Sequence, residues 1–404
     1  MKNILLITNI YPNNDPKYKG TPVCHFYTKE WKDMGYNVKV IHFNSLFPRL
    51  FYKIGGLFQG YIRSKTSNLV YTDTSRKPLQ YEVDGIPVYY VPIKKLVPHK
   101  APSEKRILKA FSYICDIFEK EGFTPDYITA HFIQPQLQFL HLFKGRYPNA
   151  ITCMVNHAEG SEYQSYYPKT YKTLMQSVDI FGFRSVAFKE DFEKRFGTAM
   201  PRFLCYSGIP DKYLVDNAKE FNNGVKRFVY VGSLYEFKNV HITIKALNNV
   251  FKGKDFVFDI VGDGAASDSL HSLVEELGLN DKVKFHGRLK RDDAQKIVDN
   301  ADCFIMVSTH EAFGLVYVES MAKGCIVVGT KGQGIDGVIK NGENGFLCKA
   351  CDVDELTEVI RTIISLPSEQ QKNISSNAIN TARELTNRKV AEFYINSISS
   401  VKCK

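Results

Sequence analysis

Two carboxylates are separated by seven residues in the stretch ADCFIMVSTHEAFGLVYVESMAKG, which covers positions 301–324. Glu311 follows a continuous apolar run, as expected for a strand that is covered on both faces of a parallel sheet. Glu319 lies in a segment whose apolar residues recur at helical spacing, and Gly324 is a natural end for that helix. Glu311 is therefore predicted at the carboxyl end of a strand, where open α/β sheets bind ligands.

The turn between these carboxylates has the chemistry of an anion site. A helix that begins near Phe313 or Gly314 leaves its first N–H groups unpaired and presents the positive end of its dipole, which suits a phosphate. Carboxylates on either side can accept hydrogen bonds from hydroxyl groups. A nucleotide sugar, with hydroxylated rings on both sides of a diphosphate, matches this layout. The alternative interpretation is that both glutamates are solvated charges on a helix face.

The same segment resembles the E-x7-E element of retaining glycosyltransferases of family 4, which have the GT-B fold. Further stretches resemble other elements of this family and occur in the order that the family has, at residues 230–239, 260–264, 283–287 and 331–347. The resemblance implies an α/β chain of two Rossmann-like, doubly wound parallel-sheet domains that face a central cleft. It implies an acceptor-binding domain over 1–207, a donor-binding domain over 208–386 and a carboxyl-terminal helix, about 387–404, that rejoins the first domain.

Composition is consistent with this organisation. A chain of 404 residues exceeds what one hydrophobic core normally supports. Strand-like and helix-like segments alternate in both halves, which favours parallel sheets. The nine cysteines are an odd number and are scattered, which indicates a reducing compartment rather than a disulfide framework. Cys348 and Cys351 form one C-x-x-C, but no second pair or nearby histidine completes a zinc set.

The resemblance also implies roles for residues of the donor site. Glu311 would hold hydroxyls of the sugar, Glu319 those of the ribose, and Lys238 would neutralise the departing diphosphate. The other donor-binding positions lie in loops that follow strands, and in the start of the helix after Glu311: Gly20, Gly232, Ser233, Gly262, Asp263, Gly287, Arg288, Ala312, Phe313, Gly314, Leu315 and Val316.

Three departures from the family pattern affect phosphate binding and the linker. Ser233 stands where many members have an arginine that pairs with the diphosphate. Lys238 can neutralise a phosphate but cannot offer the bidentate fork of a guanidinium, and Arg288 is a possible substitute. Gly20 follows a lysine where members often have a second glycine, and the linker reads Ser-Gly-Ile-Pro at 207–210 where Asn-Gly-Ile-Asp is usual.

Two histidines follow predicted strands of the first half. His131 and His157 match strand-end histidines of the family, which places both on the acceptor side and His157 beside the sugar. The predicted catalytic residues are therefore His157, Glu311 and Lys238. The alternative is that one or both histidines are structural.

The reaction implied by the resemblance is transfer of a hexose from a nucleotide sugar with retention of configuration. UDP is preferred to GDP because it is the commoner donor in the family. No metal or other cofactor is expected, since cationic protein groups can neutralise the departing diphosphate. The alternatives are a nucleotide-sugar epimerase or phosphorylase of the GT-B fold, and a catalytically silent protein that binds a nucleotide sugar.

The net charge of +10 predicts an anionic partner. Residues 46–65 combine four cations with many apolar and aromatic side chains and contain no acid, as an interfacial segment on anionic lipid requires. A helical hairpin packed on its own domain is the alternative. Nucleic acid is not expected, because no RNA-binding motif accompanies the basic residues.

These features predict the location of the protein and its acceptor. The sequence has no run of about 18 apolar residues, so no membrane-spanning helix is expected. The expected location is the cytoplasm, at the inner face of the cell membrane. The expected acceptor is a glycan or a lipid-linked glycan in the synthesis of a surface polysaccharide or glycolipid.

Overall fold

The computed structural model describes residues 1–13, 22–48, 75–95 and 101–401. Within these ranges two parallel-sheet α/β domains face each other. The first sheet contains eight strands: β1 (Asn3–Thr8), β2 (Asn37–Leu46), β3 (Leu79–Val83), β4 (Ile86–Lys94), β5 (Tyr127–His131), β6 (Ile151–Asn156), β7 (Ile180–Phe183) and β8 (Arg202–Leu204). The order is β3-β4-β2-β1-β5-β6-β7-β8, and β3 alone is antiparallel to its neighbour in this described sheet.

Helices cover both faces of the first sheet. They are α1 (Val23–Asp33), α2 (Glu104–Lys120), α3 (Gln136–Arg146), α4 (Ser161–Tyr166), α5 (Tyr171–Met175) and α6 (Val186–Phe196). Because both faces are covered, the central strand β1 is apolar through most of its length, and the side chains from Ile4 to Ile7 are completely buried.

The second sheet has six parallel strands and lies entirely after residue 226. The strands are β9 (Arg227–Val231), β10 (Val257–Val261), β11 (Val283–Phe285), β12 (Cys303–Ile305), β13 (Ile326–Thr330) and β14 (Phe346–Cys348), in the order β11-β10-β9-β12-β13-β14. Its helices are α7 (Val240–Phe251), α8 (Ser267–Glu276), α9 (Arg291–Asp299), α10 (Leu315–Ala322), α11 (Val353–Ser365) and α12 (Ser368–Arg383). The predicted GT-B architecture of two parallel-sheet domains is thereby confirmed.

The last helix, α13 (Asn387–Ser399), packs on the first domain. The indole N–H of Trp31 in α1 donates to the carbonyl of Ala391 at 3.0 Å. Tyr394 is completely buried, and its ring lies against Tyr27, Trp31 and Phe203. The end of the chain therefore supplies part of the first domain's core.

The chain passes between the domains twice, and the two passages are hydrogen-bonded to each other. The N–H of Ile209 donates to Leu385 at 3.0 Å, and the N–H of Asn387 donates to Ile209 at 2.8 Å. A Cβ added to Gly208 would lie 2.6 Å from the backbone of Asn387, so only glycine allows this approach. Residues 384–386 separate α12 from α13 because they form this passage.

Among the described residues, no helix is both long and apolar enough to cross a bilayer. The predicted interfacial segment at 46–65 falls outside the described residues from position 49 onward, so its role stays a prediction.

Candidate functional site

A cavity of about 260 Å³ lies between the two domains. Its second-domain wall is the turn that follows β12, and its first-domain wall comes from the carboxyl edge of the first sheet, the start of α1 and the linker. The lining residues are Ile10, Val23, Cys24, Phe132, His157, Arg184, Ser207, Glu311, Ala312, Phe313, Gly314 and Leu315. Five of them are residues 311–315, which the sequence predicted to bind the donor.

The turn after β12 brings a helix start to this cavity. Gly314 adopts φ +79°, and a Cβ there would lie 2.5 Å from the ring of Tyr317, so glycine is required for two reasons. The Tyr317 hydroxyl donates to the carbonyl of Met306, which ties the helix to the end of its strand. Helix α10 begins at Leu315, as predicted, and its first N–H groups have no acceptor within the helix.

Glu311 forms an ion pair with Lys238 beside the cavity. The Lys238 ammonium donates to the Glu311 carboxylate at 2.5 Å, and both side chains are more than four-fifths buried. The Glu311 N–H donates to the side-chain oxygen of Gln333 at 3.1 Å, which fixes the backbone. Glu311 and Lys238, which were predicted to bind the sugar and the diphosphate, are thus adjacent, and their charges offset each other.

Glu319 lies deeper than Glu311 and outside the cavity lining. Its side chain is 8% exposed. One carboxylate oxygen accepts from the Arg291 guanidinium, and the other accepts from Gln295 at 2.6 Å. Burial raises the pKa of Glu319 above its usual value of 4.5, and Arg291 opposes that shift. The carboxylate is thus already held by α9, and its ribose role stays a prediction.

The two histidines form a hydrogen-bonded pair. His157 lines the cavity and stacks on Phe132, with ring centroids 4.0 Å apart. Its Nε2 lies 3.0 Å from Nδ1 of His131, which is completely buried and contacts Tyr394 on its other side. The structure therefore places His131 behind His157 rather than at the cavity surface.

Both imidazoles are held neutral. Burial lowers the pKa of His131 from 6.5 to about 3. Burial, followed by the neighbouring His131 and Arg184, lowers the pKa of His157 well below 6.5. At neutral pH, His157 therefore presents an uncharged ring to the cavity, able to accept or donate one hydrogen bond according to its tautomer.

The predicted glycines of the second domain meet at the carboxyl edge of its sheet. The N–H of Gly232 donates to Val261 at 2.9 Å, and the N–H of Gly262 donates to Gly287 at 2.8 Å. Gly262 has φ +150°, and a Cβ there would lie 1.7 Å from the Gly232 carbonyl. Three loops thus converge, although none of them lines the cavity itself.

The remaining predicted donor residues occupy varied positions. Ser233 accepts through its carbonyl from the Tyr230 hydroxyl, Asp263 accepts from the N–H of Gly264, and Arg288 is exposed. Val316 follows Leu315 in α10 without lining the cavity. Gly20 lies outside the described residues. Within the described part of the chain, no three His, Cys, Asp or Glu side chains are grouped as metal ligands would be.

Arg184 is a cavity residue that the sequence did not single out. It follows β7 directly, is 3% exposed, and places its guanidinium over the ring of Phe313, with 5.3 Å between Cζ and the ring centroid. The signal in the sequence is a charged residue at the end of the strand IFGF, a pattern that also fits an exposed loop residue.

Part of this sequence is similar to known proteins. Residues 213–381 match the family described as glycosyl transferases group 1. A lipopolysaccharide core biosynthesis glycosyltransferase, LpsE of Rhizobium meliloti, is 32% identical over 135 residues, which cover 33% of this chain and 38% of that protein. The N-acetyl-alpha-D-glucosaminyl L-malate synthase of Bacillus anthracis is 30% identical over 146 residues, covering 36% and 37%. The matched region thus spans little more than a third of these relatives.

Similarity to a solved structure extends over the whole chain. The structure of HepE from Anabaena in complex with UDP has a TM-score of 0.69 and covers 99% of this chain and 100% of its own, at 18% identity. At that identity the likeness concerns the fold, which is the two-domain GT-B arrangement.

Proposed function

We propose that this chain, whose residues 213–381 belong to the glycosyl transferases group 1 family, transfers a hexose from a nucleotide sugar with retention of configuration. The observation that carries the proposal is the interdomain cavity, where a helix start, the Glu311–Lys238 pair and a neutral histidine face one another. A nucleotide sugar offers a partner to each, namely a diphosphate for the helix start and sugar hydroxyls for the ion pair and the histidine.

The chemistry follows from the charges that change during transfer. Negative charge grows on the departing diphosphate, and the N–H groups at the start of α10, beside the cavity, stabilise that charge. Glu311 accepts hydrogen bonds from sugar hydroxyls, and Lys238, which is paired with its carboxylate, also contacts a phosphate. His157 is neutral and contacts the sugar or the acceptor without adding charge.

The donor proposed is a UDP-sugar, bound without an obligatory metal. The Anabaena structure of the same fold has been solved with UDP and with UDP-glucose. The proposed acceptor is a glycan or a lipid-linked glycan in surface polysaccharide or glycolipid synthesis. The partial match to a lipopolysaccharide core glycosyltransferase supports this choice.

A binding and turnover experiment tests the proposal. UDP, GDP and ADP are titrated by calorimetry, and release of UDP from UDP-glucose is then followed with added EDTA. We expect UDP to bind most tightly, and Glu311→Gln to lower the rate of release by roughly tenfold to a hundredfold while UDP affinity stays unchanged, because its partner is the sugar. Absence of nucleotide binding by the wild type would overturn the proposal.

The proposed location is the inner face of the cell membrane, and it rests on the sequence of residues 46–65. Replacing Arg49, Lys53, Arg63 and Lys65 with Ser should weaken binding to anionic vesicles by about 1 kcal/mol per charge, less at high salt. A matched control replaces four exposed cations of the second domain, Lys340, Lys349, Arg361 and Lys372, with Ser. If both variants bind vesicles equally well, the interfacial role is wrong.

A further inference from the structure

Arg184 is a buried cation, and within the described residues its guanidinium donates hydrogen bonds to neutral groups. One terminal nitrogen donates to the Tyr27 hydroxyl at 2.9 Å and to the Cys205 carbonyl at 2.7 Å, and the other donates to the Ser207 hydroxyl. Within the part of the chain that the structure describes, these acceptors are two hydroxyls and a carbonyl, and none is a carboxylate. A guanidinium has five N–H donors, so these contacts leave donors over.

The surrounding groups cannot supply the missing negative charge by ionising. Burial raises the pKa of the Cys205 thiol to about 11 and that of the Tyr27 phenol well above 10. Both groups therefore stay neutral at the pH of a cell. A buried charge without a partner is costly, and an arginine that tolerates that cost in the free protein is suited to an anionic ligand.

The charges on the described cavity wall point the same way. Glu311 is offset by Lys238 at 2.5 Å, and His157 is neutral. Arg184 is consequently the one uncompensated charge among the described residues that line the cavity. It lies over Phe313, directly before the glycine that precedes α10, so a cation and the positive end of a helix dipole share one small space.

We propose that Arg184 binds a phosphate group in the interdomain cavity, from the first domain's side, opposite the start of α10. This inference rests on the proposed function, because a nucleotide sugar supplies that phosphate as its diphosphate. A phosphorylated lipid acceptor offers the same chemistry from a second source. In either case a contact from the first domain to a phosphate held by the second favours closure of the cleft.

The same contact accounts for two departures in the sequence. Ser233 lacks the guanidinium that the family often uses on the donor-domain side, and Ser207 in the linker is the hydroxyl that accepts from Arg184. A guanidinium presented from the opposite wall restores the planar, multidentate donor that an ammonium cannot provide.

Calorimetric titrations of wild type, Arg184→Lys and Arg184→Met test the inference with three probes: UDP, uridine, and inorganic pyrophosphate in the presence of saturating uridine. Arg146→Met, an exposed arginine of the same domain, is the control for net charge. Melting curves establish that each variant is folded, and Arg184→Lys preserves the buried charge if the methionine variant does not fold.

If Arg184 binds a phosphate of the nucleotide-sugar donor, the Arg184 variants should lose about tenfold to a hundredfold in UDP affinity and keep wild-type affinity for uridine. If Arg184 instead binds a phosphate of another ligand, the variants should have wild-type UDP affinity and should bind pyrophosphate more weakly than the wild type. Wild-type affinities for all three probes in both folded variants would overturn the inference and leave Arg184 as a structural clamp. If the wild type binds no nucleotide but binds pyrophosphate through Arg184, the proposed function fails while the inference stands.

Discussion

Glu311 and Glu319 belong to one turn and helix but have different surroundings. Glu311 lines the cavity and is paired with Lys238. Glu319 faces inward to Arg291, whose guanidinium also lies over Phe26 of α1, with 5.5 Å between Cζ and the ring centroid. Glu319 therefore orients Arg291, which touches the other domain, and this role does not depend on any contact between Glu319 and a nucleotide.

Replacing Glu319 separates these two roles. Glu319→Ala leaves Arg291 and Gln295 without their acceptor, and we expect it to lower the free energy of unfolding by about 1–3 kcal/mol. If Glu319 also reaches the ribose, UDP affinity falls in this variant but not in Glu311→Ala. Chemical denaturation and UDP titration measure the two effects. Reduced stability with wild-type UDP affinity would make Glu319 a structural residue only.

The buried His131 predicts a pH dependence of stability. Its pKa is lowered from 6.5 to about 3 in the folded protein, so between these values the unfolded chain binds a proton that the folded protein does not. The free energy of unfolding should therefore decrease as pH falls below 6.5, by up to about 1.4 kcal/mol per pH unit for this group. His157 contributes with the same sign.

Urea denaturation at several pH values checks this dependence. His131→Asn removes one titrating group, so its free energy of unfolding should vary less steeply between about pH 6.5 and 5 than that of the wild type. His310→Asn, at an exposed position, serves as the control and should keep the wild-type slope. Parallel curves for all three proteins would contradict the prediction.

Among the elements, α10 depends on a single backbone conformation at its start. Gly314 combines a left-handed φ with close approach to Tyr317, whereas Gly224 has a similar φ of +69° and nothing within 4 Å of an added Cβ. Alanine at position 224 should cost about 1–2 kcal/mol from the backbone conformation. Alanine at position 314 should cost more, because the ring must also move.

Thermal unfolding and UDP titration of the two glycine variants test the role of that helix start. We expect Gly314→Ala to weaken UDP binding, since a shift of the first turn of α10 displaces the N–H groups that face the cavity. Gly224→Ala should bind UDP as the wild type does. Equal UDP affinity in both variants would mean that the helix start does not hold the diphosphate.

In the molecule as a whole, the two passages between domains control how the cavity walls meet. Gly208→Ala places a methyl group 2.6 Å from the backbone of Asn387, and we expect a loss of about 1–3 kcal/mol, as in overpacked sites. Gly145→Ala, in helix α3 with nothing within 4 Å, should be neutral or stabilising. Melting temperatures measure the stability of both variants, and small-angle scattering with and without UDP measures how the two domains meet. A Gly208→Ala protein with the wild-type melting temperature and scattering would refute the prediction.

Much of the architecture follows from local pattern. Continuous apolar runs predict the central strands because strands covered on both faces have no polar side, and they place Glu311 after β12 correctly. The start of α10 near Gly314 was likewise predictable, since glycine and the change of period mark a helix boundary. The short strands β3, β8 and β14 were not predicted, because a strand of three to five residues at a sheet edge carries little periodicity.

The charges at the cavity were decided by tertiary structure. Sequence reasoning treated Lys238 as a free cation and Glu319 as an available carboxylate, whereas folding pairs the first with Glu311 and the second with Arg291. It overlooked Arg184, whose neighbours Tyr27, Ser207 and Phe313 come from three distant parts of the chain. Local residue spacing indicates a helix or a strand. Burial and charge pairing depend on which distant residues the fold brings together, and the local spacing of residues does not indicate those contacts.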